Sequence, residues 1–338
     1  MAQNATLSNE EGTNTEESPA PVKRSYVIAL LCGGAFSERE VSLASAENVQ
    51  RALISAGHRV IKIDTANPRY IPELQRIKPD VAFIALHGKH GEDGTPQAIL
   101  EAMGIPYTGS GVLGSALAMD KYRSKLMYEA LGLKTPASLY LKKHERNTAA
   151  ASVEHILSTI KLPVVVKPSD DGSSVGISIV REKAALRKAL QQAYDAGSSV
   201  LVEQYVTGTE ITVAVLGSTK LTALPVIEII PKNDFYDYES KYAKGGSEHL
   251  IPARISEDAQ AKASHAALLA HEGLGCFGVS RTDMIIDNKD NAWVIETNTI
   301  PGMTSVSLLP DAARYAGISN QELYEQLVLW ALERAQSE

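Results

Sequence analysis

From Ser25 onward the chain alternates short aliphatic and β-branched runs with stretches of helical periodicity, a rhythm that predicts strands and helices of an α/β sheet. Residues 26–32 are an unbroken apolar run, as a buried strand requires. Gly33-Gly34 break it. Ser37-Glu38-Arg39-Glu40 then has the spacing of a capping box, with Ser37 placed to cap a backbone N–H and Glu40 to reach back. The following helix is expected to run to about Ala56 and stop at Gly57. Further strands are predicted near 59–64 and 80–86, and a helix near 95–103 that ends at Gly104. Together these elements make one Rossmann-like βαβ unit.

The segment from Met1 to about Arg24 is different. It is rich in Asn, Ser, Thr and Glu, has no aromatic residue and no apolar run, and is expected to be a disordered tail. It lacks the basic start and apolar stretch of a signal peptide, and no stretch of the chain is long and apolar enough to cross a bilayer. A cytoplasmic protein without membrane insertion is expected. The remaining length of a 338-residue chain, 44% hydrophobic and 6% aromatic, divides most simply into two or three domains. A net charge of -7 gives no general reason to bind nucleic acid, so any anion site must be local. Cys32 and Cys276 are too few for a disulfide framework, which favours a reducing compartment.

Candidate chemistry lies at the loops. Gly33-Gly34 lacks the three-glycine spacing of a dinucleotide fingerprint, which argues against an NAD enzyme. The βαβ topology still predicts a crevice at the carboxyl ends of the strands, where Glu38 and His87 lie. A lone Glu or His is more often structural than functional. His87 and His90 have a metal-like spacing without further ligands, so zinc is the weaker reading. Residues 163–180 read as strand, Gly/Ser loop, strand. A lysine, Lys167, precedes the loop rather than following it, so this is a flap and not a P-loop. Its backbone N–H groups and Lys167 can meet a triphosphate, or the segment is an exposed hairpin. Leu201 to Val206 can form an adenine slot in which Glu203 accepts the amino proton, or simply a strand with a polar end.

The strongest signal is near the C-terminus. Residues 278–287 and 292–297 read as strands around Asn288-Lys289-Asp290-Asn291. Pairing about Lys289 and Asp290 sets Asp283 opposite Glu296 and Arg281 opposite Asn298, with all four on one face. Opposed carboxylates repel and ask for a cation: magnesium shared with substrate phosphates, or Lys and Arg side chains that neutralise the pair. Asn298 leads into a Thr-Ile-Pro-Gly-Met-Thr loop whose Gly302 N–H can face an oxyanion.

These motifs, with Glu38-Arg-Glu-Val-Ser42, Leu86-His-Gly88, Gly91-Glu-Asp-Gly94, Tyr107-Thr-Gly-Ser-Gly111, Met119-Asp-Lys121 and Phe235-Tyr-Asp-Tyr-Glu-Ser-Lys241-Tyr242, resemble in order those of the D-alanine:D-alanine ligases of the ATP-grasp superfamily. The resemblance covers nearly everything after the tail. It implies a mixed α/β and α+β chain: tail 1–24, an N-terminal Rossmann-like substrate-binding domain 25–109, and a two-domain ATP-grasp fold formed by a central domain 110–203 and a catalytic domain 204–338. It implies ATP-dependent formation of D-alanyl-D-alanine for peptidoglycan precursors, in a homodimer. Lys121 and Lys167 would hold the α and β phosphates and Lys241 the γ phosphate. Glu203, Gln204, Tyr205, Val206 and Glu210 would complete the ATP site. Asp283, Glu296 and Asn298 would hold two magnesium ions, with manganese able to substitute. Glu38 would anchor the first D-alanine's ammonium in a network with Ser173 and Tyr242, and His87 would face its carboxylate. Arg281 and Gly302 would meet developing charge, and Ser307 with the Leu308 backbone would receive the second D-alanine. The segment from about 232 to 250, without clear periodicity, would be a lid. Its Lys241-Tyr242 argues against the relatives that make an ester with D-lactate. Gln204 departs from the lysine of many relatives, though an amide can still donate to the base. A non-enzymatic ATP sensor, the alternative from another class, would need neither Arg281 nor a complete metal set.

Overall fold

The computed structural model describes residues 24–148, 152–170, 172, 175–231 and 246–337. The proposed tail through Lys23, and Ser173, Lys241 and Tyr242, lie outside the described residues. Three sheets organise the rest. In the first, β1 (Val27–Cys32) lies between β2 (Arg59–Asp64) and β3 (Val81–Ile84), all parallel. The crossovers α1 (Arg39–Ser55) and α2 (Tyr70–Ile77) return the chain, and α3 (Thr95–Ala102) follows β3. The central position of β1 explains its continuous apolar run, since both faces are covered.

The expected capping box is not formed. The residue preceding α1 is Glu38, not Ser37, and its side chain makes no cap bond; the carboxylate turns instead toward Gly88. A crevice at the strand ends thus takes the side chain that local helix chemistry would have used.

Helices α4 (Val112–Met119) and α5 (Lys121–Ala130) precede the second sheet, whose order is β4 (Ser138–Lys142), β7 (Ser199–Gln204), β5 (Val164–Pro168) and β6 (Ser178–Val180), all antiparallel. Between them in sequence, α6 (Val153–Thr159) and α7 (Lys183–Ala196) cover one face with Ile156, Leu186 and Tyr194. The flap read from the sequence is the β5–β6 hairpin, here one edge of this sheet.

The third sheet runs β11 (Ser247–Leu250), β10 (Ile227–Pro231), β8 (Thr209–Gly217), β12 (Gly278–Ile286) and β13 (Ala292–Asn298), with β9 (Thr222–Ala223) beside β8. The lid expected over 232–250 therefore ends early, because 247–250 pairs with β10 as an edge strand; residues 232–245 lie outside the described residues. Helix α8 (Glu257–Gly273) lays an alanine face, Ala259, Ala263, Ala266, Ala267 and Ala270, on this sheet. Its start is capped by Ser256 Oγ, which accepts from the Ala259 N–H at 3.0 Å. Tyr128 of α5 joins the same core. Helix α9 (Leu308–Tyr315) follows β13, and α10 (Asn320–Ser337) returns to the first sheet and packs on α1 and β3. There Tyr324 meets Phe83 edge-on at 5.9 Å, so both ends of the described chain share one core.

The packing of α4 leaves no room at Gly114. A Cβ there would lie 2.5 Å from the Gly275 carbonyl oxygen and 3.0 Å from its carbon, both backbone atoms. Gly114→Ala is expected to cost about 1–3 kcal/mol through overpacking, read as a lower denaturant midpoint with an unchanged m-value. A midpoint equal to the parent's would mean that α4 shifts freely.

Candidate active site

The β12–β13 hairpin carries the four residues singled out from the sequence. Its register near the turn is centred on Lys289: Ile286 pairs with Ala292 and Met284 with Val294. A one-residue shift then leaves Ile295 extra, and beyond it Asp283 pairs with Glu296 and Arg281 with Asn298. The turn is one residue tighter than symmetric pairing about Lys289 and Asp290 assumes. Asp287 tightens it by accepting from the backbone N–H groups of Lys289 and Asn291 and from Trp293 Nε1. The bulge restores the expected pairing where it matters.

Both opposed carboxylates have counter-ions. Arg281 forks onto Asp283 through Nε (2.9 Å) and Nη2 (2.7 Å), and Thr212 Oγ1 donates to the same carboxylate at 2.5 Å. Lys121 Nζ lies 3.1 Å from Glu296 Oε2. Asn298 Nδ2 reaches Asp283 at 3.3 Å. Among the described residues no three carboxylate, histidine or cysteine side chains stand close enough to hold a metal by themselves. A metal here would need oxygens from a bound substrate as well.

This face opens on a cleft of about 490 Å³ between the second and third sheets, within the ~300–1,000 Å³ usual for small-molecule sites. Lys167, Glu203, Gln204, Tyr205, Val206 and Glu210 line it together with Asp283 and Glu296, and Ile177, Ile179, Met284 and Ile285 supply apolar walls. Lys121 lies outside this cleft, in a narrow gap with Glu296, Asn298 and Gly172. The flap base is pinned to α5, since the Lys121 N–H donates to Ser169 O at 2.8 Å and the Tyr122 N–H to Ser169 Oγ at 3.2 Å.

On the other side of Arg281 and Asn298 a tight pocket of about 30 Å³ brings together Glu38, His87, Gly302, Ser307 and Leu308. Gly88 (φ 65°) is required here: a Cβ would sit 1.9 Å from Glu38 Oε2. His87 is buried and both ring nitrogens are engaged, Nδ1 with Ile300 O at 3.1 Å and Nε2 with Ser45 Oγ at 3.0 Å. A carbonyl only accepts, so Nδ1 carries the proton and Nε2 accepts from Ser45. The Ser45 oxygen in turn accepts from the Met303 N–H at 3.2 Å. Burial pushes the His87 pKa down to about 4, keeping the ring neutral.

Three residues of this site carry no role in the sequence reading. Asn48 Nδ2 donates to the Met303 carbonyl at 2.8 Å and to Tyr324 OH at 3.2 Å, and Tyr324 OH donates to the same carbonyl at 3.3 Å, so α1 and α10 converge on the loop that carries Gly302. Glu92, part of the quoted Gly91–Gly94 motif, accepts from the Gly88 N–H (3.1 Å) and the Ile300 N–H (3.4 Å). Burial, then the nearby Glu38 charge, pushes its pKa up to about 8. The apolar spacing of α1 marks Asn48 as an intrusion on a buried face, the one sequence signal for it. Glu92 has none beyond its motif.

A flap hairpin over one sheet, a carboxylate hairpin in the next and a ligand-sized cleft between them belong to the ATP-grasp fold, which the solved structures similar to this chain share. Residues 127–329 match the family model described as D-ala D-ala ligase C-terminus, and residues 71–110 match the corresponding N-terminus. The D-alanine–D-alanine ligase of Carboxydothermus hydrogenoformans is 46% identical over 311 residues, 91% of this chain and 99% of that protein. Among solved structures, the D-alanine–D-alanine ligase of Bacillus anthracis complexed with ATP superposes with a TM-score of 0.78 at 30% identity, covering 93% of this chain and 99% of that one. The VanG D-Ala:D-Ser ligase of Enterococcus faecalis gives 0.78 at 32%, covering 91% and 100%. The chain belongs to the D-alanine–D-alanine ligase family.

Two outcomes follow from the loop contacts. Asn48→Leu leaves the buried Met303 carbonyl with only the longer Tyr324 bond among those described, and is expected to lower unfolding free energy by about 1–2 kcal/mol in urea titrations; no change would mean the grip is immaterial. For Glu92 the native pKa lies above its ordinary value of 4.5, so its linked stability is full below pH 4.5 and is lost as pH rises through about 8. Melting temperature should fall between pH 4.5 and about 8 and level off above it, and Glu92→Gln should flatten that fall. An unaltered slope in the variant would show that Glu92 is ionised throughout.

Proposed function

We propose that this protein joins two D-alanine molecules at the expense of ATP, through a D-alanyl phosphate, supplying a precursor of peptidoglycan. The observation that carries the reading is the single face of Arg281, Asp283, Glu296 and Asn298, which borders both the ligand-sized cleft and the tight pocket beneath Gly302. Nucleotide and amino-acid chemistry meet there.

A carboxylate is a poor electrophile. In the first step an oxygen of the first D-alanine carboxylate attacks the γ phosphorus and ADP leaves. In the second, the amine of the other D-alanine attacks the acyl carbon, the C–O bond to phosphate breaks, and the amine gives up a proton. Both steps gather negative charge between Arg281 and the Gly302 N–H. A unit-charge pair about 4 Å apart is worth about 4 kcal/mol at an effective dielectric near 20, enough to matter to rate. Glu38 takes the first ammonium with Ser173 and Tyr242 as its network. Ser307 and the Leu308 N–H at the start of α9 receive the second carboxylate. His87, neutral and engaged on both nitrogens, serves this site by holding Ser45 and Ile300 beside the Gly302 loop rather than as a free cation.

The oxygen donors of Asp283, Glu296 and Asn298 fit magnesium shared with phosphates, with manganese as a substitute. Two such ions would neutralise phosphate charge and align the triphosphate. With metal bound, Asp283 would be one of its ligands, and Arg281 would serve the transferred phosphoryl group. Lys121 and Lys167 take α and β phosphates and Lys241 the γ phosphate, while Gln204, Tyr205, Val206 and Glu210 border the nucleoside. Glu203, held by lysines, enters as a counter-ion. We divide the chain at 25–109, 110–203 and 204–338, with 1–24 as a tail, and place the protein in the cytoplasm as a homodimer. No helix among the described residues is long and apolar enough to cross a membrane.

The direct test is ATP- and magnesium-dependent phosphate release across D- and L-amino acids and D-lactate. D-alanine alone should support turnover with D-alanyl-D-alanine as product; release independent of any amino acid would overturn the reading. Glu296→Gln, which removes one charge with little change of shape, is expected to weaken magnesium-dependent nucleotide binding by 10-fold or more, on the order of 1.4 kcal/mol, and to abolish most turnover. Parent-like magnesium dependence would take Glu296 out of the site.

A further inference from the structure

At the floor of the large cleft Glu203 stands between two ammonium groups. Lys167 Nζ on β5 lies 2.7 Å from its Oε2, and Lys125 Nζ on α5 lies 2.9 Å from its Oε1. The Lys125 contact is an ion pair rather than an aligned hydrogen bond. All three side chains are at most 4% exposed. The two lysines differ in access. Lys167 borders the cleft with Glu203, whereas Lys125 is behind the carboxylate, outside the cleft lining. Lys125 is further anchored by donating to Thr135 Oγ1 at 2.7 Å, and Thr135 Oγ1 donates to Val294 O at 2.9 Å, so its position is tied to β13.

We propose that Lys125 is a positioning residue that holds the buried Glu203 charge when Lys167 swings from Glu203 to a nucleotide phosphate. This rests on the reading of the cleft as an ATP site. With two cations and one anion, the cluster carries one positive charge in excess, which a phosphate satisfies. With Lys167 as its only partner, Glu203 would be stranded as a buried, unpaired carboxylate each time Lys167 left, and the strong penalty for that would lock Lys167 in place. Burial would by itself raise the Glu203 pKa, and the two ammonium groups outweigh it and hold the carboxyl below the usual range, so the charge to be compensated is present at neutral pH. Lys125 does not line the cleft and stays anchored on Thr135, so it remains as resident counter-ion.

A positioning role and a packing role for Lys125 differ in the ligands they affect. Removing Lys125 should weaken ligands that need Lys167 and spare those that do not. Removing the buried carboxylate as well should free Lys167 and restore phosphate binding.

The test is calorimetric titration of the full-length protein, with magnesium, using ATP and adenosine as separate probes. Lys125→Met should weaken ATP by about 10- to 100-fold, the effect of one charge-assisted contact, with adenosine affinity unchanged. Lys125→Met combined with Glu203→Gln should bring ATP back to within a few-fold of Glu203→Gln alone. Equal losses for ATP and adenosine in the single variant, or a double variant no better than the single, would overturn the proposal. If Lys125→Met alone does not fold, the Glu203→Gln background decides: there Lys125→Met should cost no ATP affinity, and a loss would refute the role. Because the readout is binding, it is separable from the ligase reading. A parent protein that binds ATP but releases no phosphate with D-alanine would sink that reading and leave this one standing.

Discussion

Asp283 and Glu296 face each other across two antiparallel strands, and an opposition of like charges in a half-buried place persists only with cations close by. Arg281 and Lys121 meet that need in the protein as described. Both partners are side chains on long stems, and a divalent ion with phosphate oxygens answers the same requirement. The site is thus built around an unfavourable pair that two neighbouring cationic side chains compensate. The same logic recurs one sheet away, where Glu203 has one counter-ion on the cleft and another behind it.

Much of the remaining architecture keeps this pair in place. Tyr128 donates to Thr297 Oγ1 at 2.8 Å, between Glu296 and Asn298, from a helix that packs on the third sheet. Thr212 on β8 bonds Asp283 from the neighbouring strand. The 300–303 loop that follows β13 is fixed by the first sheet's helix through Ser45 and Asn48 and by the last helix through Tyr324. The loop therefore depends on both ends of the described chain, and α10 packs on α1 and β3 as well as on β12 of the third sheet.

Sheet elements were legible because their signals are local: the apolar run at 26–32, the positive-φ Gly57 and Gly104 at helix ends, and the period-2 runs that flank Asn288. The pairing of Asp283 with Glu296 was legible for a partly accidental reason. Symmetric pairing about Lys289 and Asp290 misjudged the turn by one residue, and the extra Ile295 compensated. Ser37 looked like a helix cap, but Glu38 precedes the helix with its carboxylate in the crevice, since tertiary demand overrides a preference worth about 1 kcal/mol. Asn48, Glu92 and Lys125 were not legible as partners, because their contacts join residues tens to hundreds of positions apart and no single segment records them.

The central claim is that a D-alanine carboxylate is activated by phosphoryl transfer at this face. Its most direct measurement uses D-alanine labelled with 18O in the carboxylate, ATP and magnesium, followed by mass analysis of the released phosphate. Transfer through an acyl phosphate moves one labelled oxygen into each phosphate formed with the dipeptide. Phosphate released without label would mean that the carboxylate never attacked phosphorus, and would contradict the account.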